Sequence, residues 1–173
     1  HVVDKVSYDG SGVKVSTSQG VIQADRAVVT LPLGVLQQDR VRFEPQLPED
    51  KRSSIGRLGM GVMNKIALRF SKRFWPEDAH RLGLLNSSTE TLTEYFPLTP
   101  YAGQSVIVGL TRGRHAKSIE KINKEEVVQQ ALTDLRSMFG NAVPNKVVDS
   151  VVTGWYSYEF SHGSYSHIPP GAS

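Results

Sequence analysis

Cysteine is absent from all 173 residues, which excludes disulfides, thiolate metal sites and cysteine catalysis within this stretch. That absence fits a reducing compartment, with the cytoplasm as the preferred setting, without establishing one. Long hydrophobic runs are missing too: nothing approaches the roughly 18 apolar residues that suggest a membrane span. No signal-peptide pattern opens the chain. Charge of one sign is not in excess. The net charge is +3, and the basic residues are scattered apart from Lys51-Arg52 and Lys72-Arg73. A nucleic-acid binder concentrates such residues on one element, so no direct nucleic-acid contact is expected. The histidines His1, His80, His115, His162 and His167 show no metal-ligand spacing. Gly10-Ser11-Gly12 lacks the third glycine of a phosphate loop and runs into a strand rather than a helix. No Ser-His-Asp arrangement can be argued from isolated residues, since a triad is a spatial object.

What remains is the composition of an ordinary globular domain, punctuated by turns. Val2-Val3 and Val6 read as a strand that turns at Asp9-Gly10-Ser11-Gly12. Val13 to Thr17 alternates apolar and polar residues, as a half-buried strand does. Ala27-Val28-Val29-Thr30-Leu31 is continuously apolar apart from Thr30 and predicts a strand buried on both faces, ended by Pro32. Short helices are expected over Leu33–Gln38 and Pro48–Arg57. Strands follow at Val62–Phe70, Arg81–Leu85, Leu92–Leu98, Ser105–Thr111 and Val147–Trp155. The clearest helix spans Lys124–Phe139, with Asn123 as its cap, Glu126 at the third position and Gly140 as its stop. Its stripe of Val127, Val128, Ala131, Leu132, Leu135, Met138 and Phe139 reads as core. The fold class is α+β, a mixed sheet flanked by helices. His1 stands inside a strand-like run and Ser173 comes shortly after Pro169-Pro170-Gly171, so the chain reads as an internal fragment.

Two features could carry chemistry. In the strand Val62–Phe70, Met63, Lys65, Ala67 and Arg69 point one way, and Val62, Asn64, Ile66, Leu68 and Phe70 the other. A charged lysine is costly to bury unpaired, so Lys65 by itself reads as solvent-facing; buried, it would suit proton transfer or the holding of a water. Trp155, Tyr156, Tyr158, Phe160 and Tyr165 cluster around Gly163. They suit either a core or a surface for a flat ring or a cation.

Four blocks, in order, carry a resemblance. Thr30-Leu31-Pro32-Leu33-Gly34-Val35-Leu36, Phe43-Glu44-Pro45-Gln46-Leu47-Pro48, Gly59-Met60-Gly61-Val62-Met63-Asn64-Lys65, and Trp155 through Gly163-Ser164-Tyr165-Ser166 resemble the flavin-containing amine oxidases. That family includes polyamine oxidases, monoamine oxidases and lysine-specific histone demethylases. The resemblance implies FAD as cofactor and oxidation of an amine, polyamines preferred, to an imine that water hydrolyses, with release of hydrogen peroxide. It implies that residues 1–42 are part of a Rossmann-type FAD-binding domain, 43–155 the substrate-binding domain, and 156–173 a segment returning to the FAD domain. It implies further that Lys65 holds a water at the flavin and that Trp155 packs beside the ring. Val3, Thr30 and Leu31 would lie along the cofactor, and Phe160 and Tyr165 would line the amine pocket. Phe160 departs from the tryptophan that some members carry there. Gly-x-Gly-x-x-Gly and the acidic ribose ligand are absent from these residues, so the fragment alone is expected to bind FAD poorly and to be inactive. A desaturase or porphyrinogen oxidase fits the lysine strand and the Gly-Ser-Tyr block less well. A histone-demethylase-like flavoprotein and a non-catalytic binding or assembly module are the alternatives.

Overall fold

The Asp9 carboxylate starts the fold by closing a hairpin: it accepts hydrogen bonds from Ser11 N (2.8 Å) and Ser11 Oγ (2.6 Å), an Asx turn. The computed structural model to which this turn belongs describes residues 1–84 and 94–172. The hairpin joins β1 (Val3–Asp9) to β2 (Gly12–Thr17), and β3 (Gly20–Ala24) adds antiparallel to β2. α1 (Leu33–Leu36) precedes β4 (Arg42–Glu44), which pairs parallel with β1. The sheet is therefore mixed, in the order β3-β2-β1-β4. α2 (Glu49–Arg57) carries Glu49 and Asp50 in its first turn and Arg57 in its last, matching the helix dipole. Gln37 Nε2 donates to Ile55 O (2.9 Å) and Leu58 O (2.7 Å), satisfying carbonyls at the C-terminal end of α2.

One expectation fails here. Ala27 to Leu31 is not a strand, and Val28 is 89% exposed. An apolar run becomes a doubly buried strand only where neighbours take up its ladder and cover both faces. Among the described residues no strand pairs with it. The strand β3, by contrast, was not legible, because exposure along its whole length leaves no alternation to read.

The chain divides into two compact units, residues 1–61 with 158–173, and residues 62–157. In the first, β5 (Gly59–Met60) pairs antiparallel with β11 (Ser166–His167). The return segment passes so close that a Cβ on Gly34 would collide with Ser161 O, and one on Gly163 would lie 2.7 Å from Gly61 O. Gly163 also has φ +136°, a region few side chains tolerate.

The second unit is a five-stranded antiparallel sheet in the order β10-β6-β9-β8-β7. Its strands are β6 (Met63–Arg69), β7 (Leu82–Gly83), β8 (Glu94–Pro97), β9 (Val106–Arg112) and β10 (Asp149–Val152). Leu85, Leu92 and Thr93, within two of the expected strands, lie outside the described residues. α3 (Thr99–Ala102) and α4 (Gly113–Ile119) flank β9 in the chain, and α5 (Lys124–Phe139) covers one sheet face. Asn123 caps α5 as expected, its Oδ1 accepting from Glu126 N at 2.8 Å. Ile66, Leu68, Tyr95 and Ile107 of the sheet meet Val127, Val128, Ala131, Leu132 and Leu135 of α5 in one core. Burying each large aliphatic side chain contributes about 1.5–3 kcal/mol, which makes this contact the main support of the unit. The alternation expected for β6 is observed, with Asn64, Ile66 and Leu68 buried and Lys65 and Arg69 exposed.

Candidate functional site

Lys65 lies in the middle of β6 and points away from the α5 core. Its cross-strand partner is Leu110 of β9, which in turn opposes Glu94 of β8. Ala67, Val108 and Phe96 form the next row on that face. Lys65 is thus an exposed amine on a largely apolar sheet surface. Glu94 on this surface is already engaged, with ion pairs to Arg81 and Arg112, and Arg81 lies 5.7 Å from the Phe96 ring centroid.

The same strand joins Lys65 to Trp155. Beyond the end of β10, Thr153 N donates to Lys65 O (3.0 Å), and Lys65 N donates to Thr153 Oγ1 (2.8 Å). Thr153 Oγ1 in turn donates to Asn64 Oδ1 (3.0 Å), which also accepts from Trp155 N (3.0 Å). The Trp155 side chain is 41% exposed, enough to meet a ligand while its backbone is held.

The other expected site residues belong to the first unit. Val3 opens β1 beside a bulge in its pairing with β2. Thr30 and Leu31 lie in the segment outside any strand, just before Pro32. Phe160 packs edge-on against Tyr158 at 5.5 Å between ring centroids. Tyr165 has φ +64° and is 64% exposed, its backbone fixed by Gly61 N donating to Tyr165 O at 3.0 Å. The choice between core and surface for the aromatic cluster is therefore resolved: all five side chains are exposed. Among the described residues no three His, Asp or Glu side chains gather as a metal site. No helix among them is long and apolar enough to cross a membrane.

Against known proteins, the family model described as flavin-containing amine oxidoreductase matches residues 1–173. The chain belongs to this family. Flavin is accordingly the cofactor of the family. Lysine-specific histone demethylase 1 homolog 2 of Arabidopsis thaliana is 35% identical over 176 residues, covering 99% of this chain and 24% of that protein. Polyamine oxidase 2 of the same plant is 38% identical over 168 residues, covering 96% of this chain and 34% of that protein. The chain thus spans about a quarter to a third of the length of these family members. Cyclohexylamine oxidase from Brevibacterium oxydans shares the fold, with TM-score 0.80 over 98% of this chain and 37% of its own at 23% identity. A putrescine oxidase does so with TM-score 0.79, again over 98% of this chain and 38% of its own, at 21% identity.

Sequence reasoning missed Asn64 and Thr153 as partners of Lys65 and Trp155. Their signal was present in part: an amide inside an apolar strand is a buried polar group that must find partners.

Proposed function

We propose that this chain supplies the substrate-side surface of an FAD-dependent amine oxidase, acting on polyamines in the full-length protein. The observation that supports this most directly is Lys65: an exposed amine in mid-sheet, on the face away from the core, tied to Trp155 through Asn64 and Thr153. The side chains fit a flavin, since a flat ring would cover exposed apolar and aromatic surface at Trp155 without disturbing any core residue. Bound there, a flavin would supply the redox chemistry for oxidation of the amine at the carbon next to nitrogen, with dioxygen reduced to hydrogen peroxide.

The chain's own residues do the rest. Lys65 would hold a water by hydrogen bonding beside the flavin, and Trp155 would bound the ring. The Val3 backbone would meet the adenine, and Thr30 and Leu31 would lie along the cofactor. Phe160 and Tyr165 present aromatic faces, which attract a cationic amine and exclude bulk water from the carbon to be oxidised. Residues 43–155 act as the substrate-binding part in this reading, with 1–42 and 156–173 on the cofactor side.

Lys65→Met in the full-length protein tests the assignment, with peroxide release from spermine and spermidine as readout. A fall of about tenfold or more in kcat is expected, and unchanged release would refute the role of Lys65. The histone demethylase among the relatives supports a second reading, in which the amine is a methylated lysine in a histone tail. Both readings use the same chemistry. Peroxide from a methyl-lysine peptide but not from spermine would select the second.

A further inference from the structure

Asn64 is 0% exposed, inside the hydrophobic side of β6. An unpaired amide there would be destabilising, yet all four of its hydrogen-bonding positions are filled. Besides its two acceptor bonds to Thr153 and Trp155, its Nδ2 donates to Ala116 O (3.0 Å) and to Glu120 Oε1 (2.6 Å). Those partners fix the amide's orientation, since a flipped Asn64 would put an oxygen against a carbonyl and a carboxylate.

Glu120, at the end of α4, continues the chain of contacts. Its Oε1 also accepts from Tyr156 N (3.0 Å), and its Oε2 accepts from Ser157 N (2.7 Å). Burial pushes this carboxyl up, but the hydrogen bonds from Asn64, Ser157 and Tyr156 outweigh it and hold the group below the usual glutamate range. The carboxylate is thus charged at neutral pH, where its hydrogen bonds are strongest. Lys117 of the same helix adds a contact, with Nζ 4.2 Å from the Tyr156 ring centroid. Every arm of the network ends on β6 beside Lys65, on α4, or on the turn at residues 153–157.

We infer that Asn64, Thr153 and Glu120 form a positioning unit that holds the Lys65 backbone and the Trp155 turn in one fixed relation. The inference rests on the reading of Lys65 and Trp155 given above. Burying an apolar side chain at position 64 would satisfy the core equally well, but it would leave the Trp155 N–H and the Thr153 hydroxyl without their shared acceptor. A displacement of the order of 1 Å at a catalytic group can cost about a hundredfold in rate, so such a clamp has functional weight.

The test uses the full-length holoenzyme carrying Thr153→Val, Glu120→Gln or Asn64→Asp, each alone and over Lys65→Met. Thr153→Val is nearly isosteric and keeps the experiment interpretable if Asn64→Asp fails to fold. In the absence of amine, amide hydrogen exchange at Lys65 and at residues 155–157 is expected to rise about tenfold, with β8 and β9 unchanged. With amine, kcat is expected to fall about tenfold while KM stays within about twofold, and the fall over Lys65→Met is expected to be clearly smaller than in the parent, since the part that acts through Lys65 is already lost. Unchanged exchange, or a loss that multiplies fully with that of Lys65→Met, overturns the positioning role. If Lys65→Met itself leaves turnover unchanged, the reading of Lys65 falls and this inference falls with it. If Lys65→Met slows turnover but the losses multiply, only this inference falls.

Discussion

Tyr95→Phe tests how the core of the sheet-and-helix unit is held. Tyr95 is 0% exposed, and its hydroxyl donates to Asp134 Oδ2 at 3.2 Å, with a weaker contact to Ala131 O at 3.5 Å. Asp134 is itself buried on α5. A hydrogen bond to a charged group contributes about 1.5–3 kcal/mol, and 3.2 Å is long for O–H···O, so a loss near 1.5 kcal/mol is expected. Removing one oxygen leaves too small a void to add much. Burial, then the charge of Asp134, then its hydrogen bond raise the Tyr95 phenol well above its ordinary value. Because the folded-state value lies above the unfolded one, this stability is fully present below about pH 10 and is lost as pH rises further. The loss amounts to about 1.4 kcal/mol per pH unit for one proton, and Tyr95→Phe should abolish that increment. Urea unfolding followed by emission of the buried Trp75 reads both effects. A double cycle with Asp134→Asn should show a coupling of about 1–2 kcal/mol. Parent and Tyr95→Phe midpoints that coincide at pH 7, with equal alkaline slopes, would refute the account.

Two glycines on one unit should respond oppositely to alanine. Gly34→Ala drives a Cβ into Ser161 O and is expected to destabilise by about 1–3 kcal/mol, whereas Gly56→Ala, in open space on α2, should stabilise by about 0.5–1 kcal/mol; thermal melts separate them. Glu120 has a lowered folded-state value, so its contribution is present above the unfolded glutamate value of about 4.3 and is lost as pH falls through the folded one. Acid titration of Trp155 emission should therefore show a transition below the ordinary glutamate range that Glu120→Gln removes, and an identical titration in the variant would contradict this.

Legibility in the sequence followed the strength of local signals. Helix α5 was readable from end to end, because Asn123, Gly140 and an apolar stripe at helical spacing each act within a turn or two. The facing of β6 was readable for the same reason, since strand alternation is a local property. The run Ala27 to Leu31 misled, because strand formation there depends on neighbours far along the chain. The fate of the aromatic cluster was undetermined for an equally physical reason: composition does not say which faces other segments will cover.

Strand alternation alone placed Lys65 on one face with Met63, Ala67 and Arg69, and Asn64 on the other. The blocks around them sufficed to assign the family, because motif order survives without coordinates. That β10 ends beside Lys65, so that Thr153 and Trp155 meet Asn64 across 89 and 91 residues of chain, emerges only from the folded sheet. Hydrogen bonds of that separation depend on strand register, and register is set by the packing of the whole sheet rather than by any local stretch.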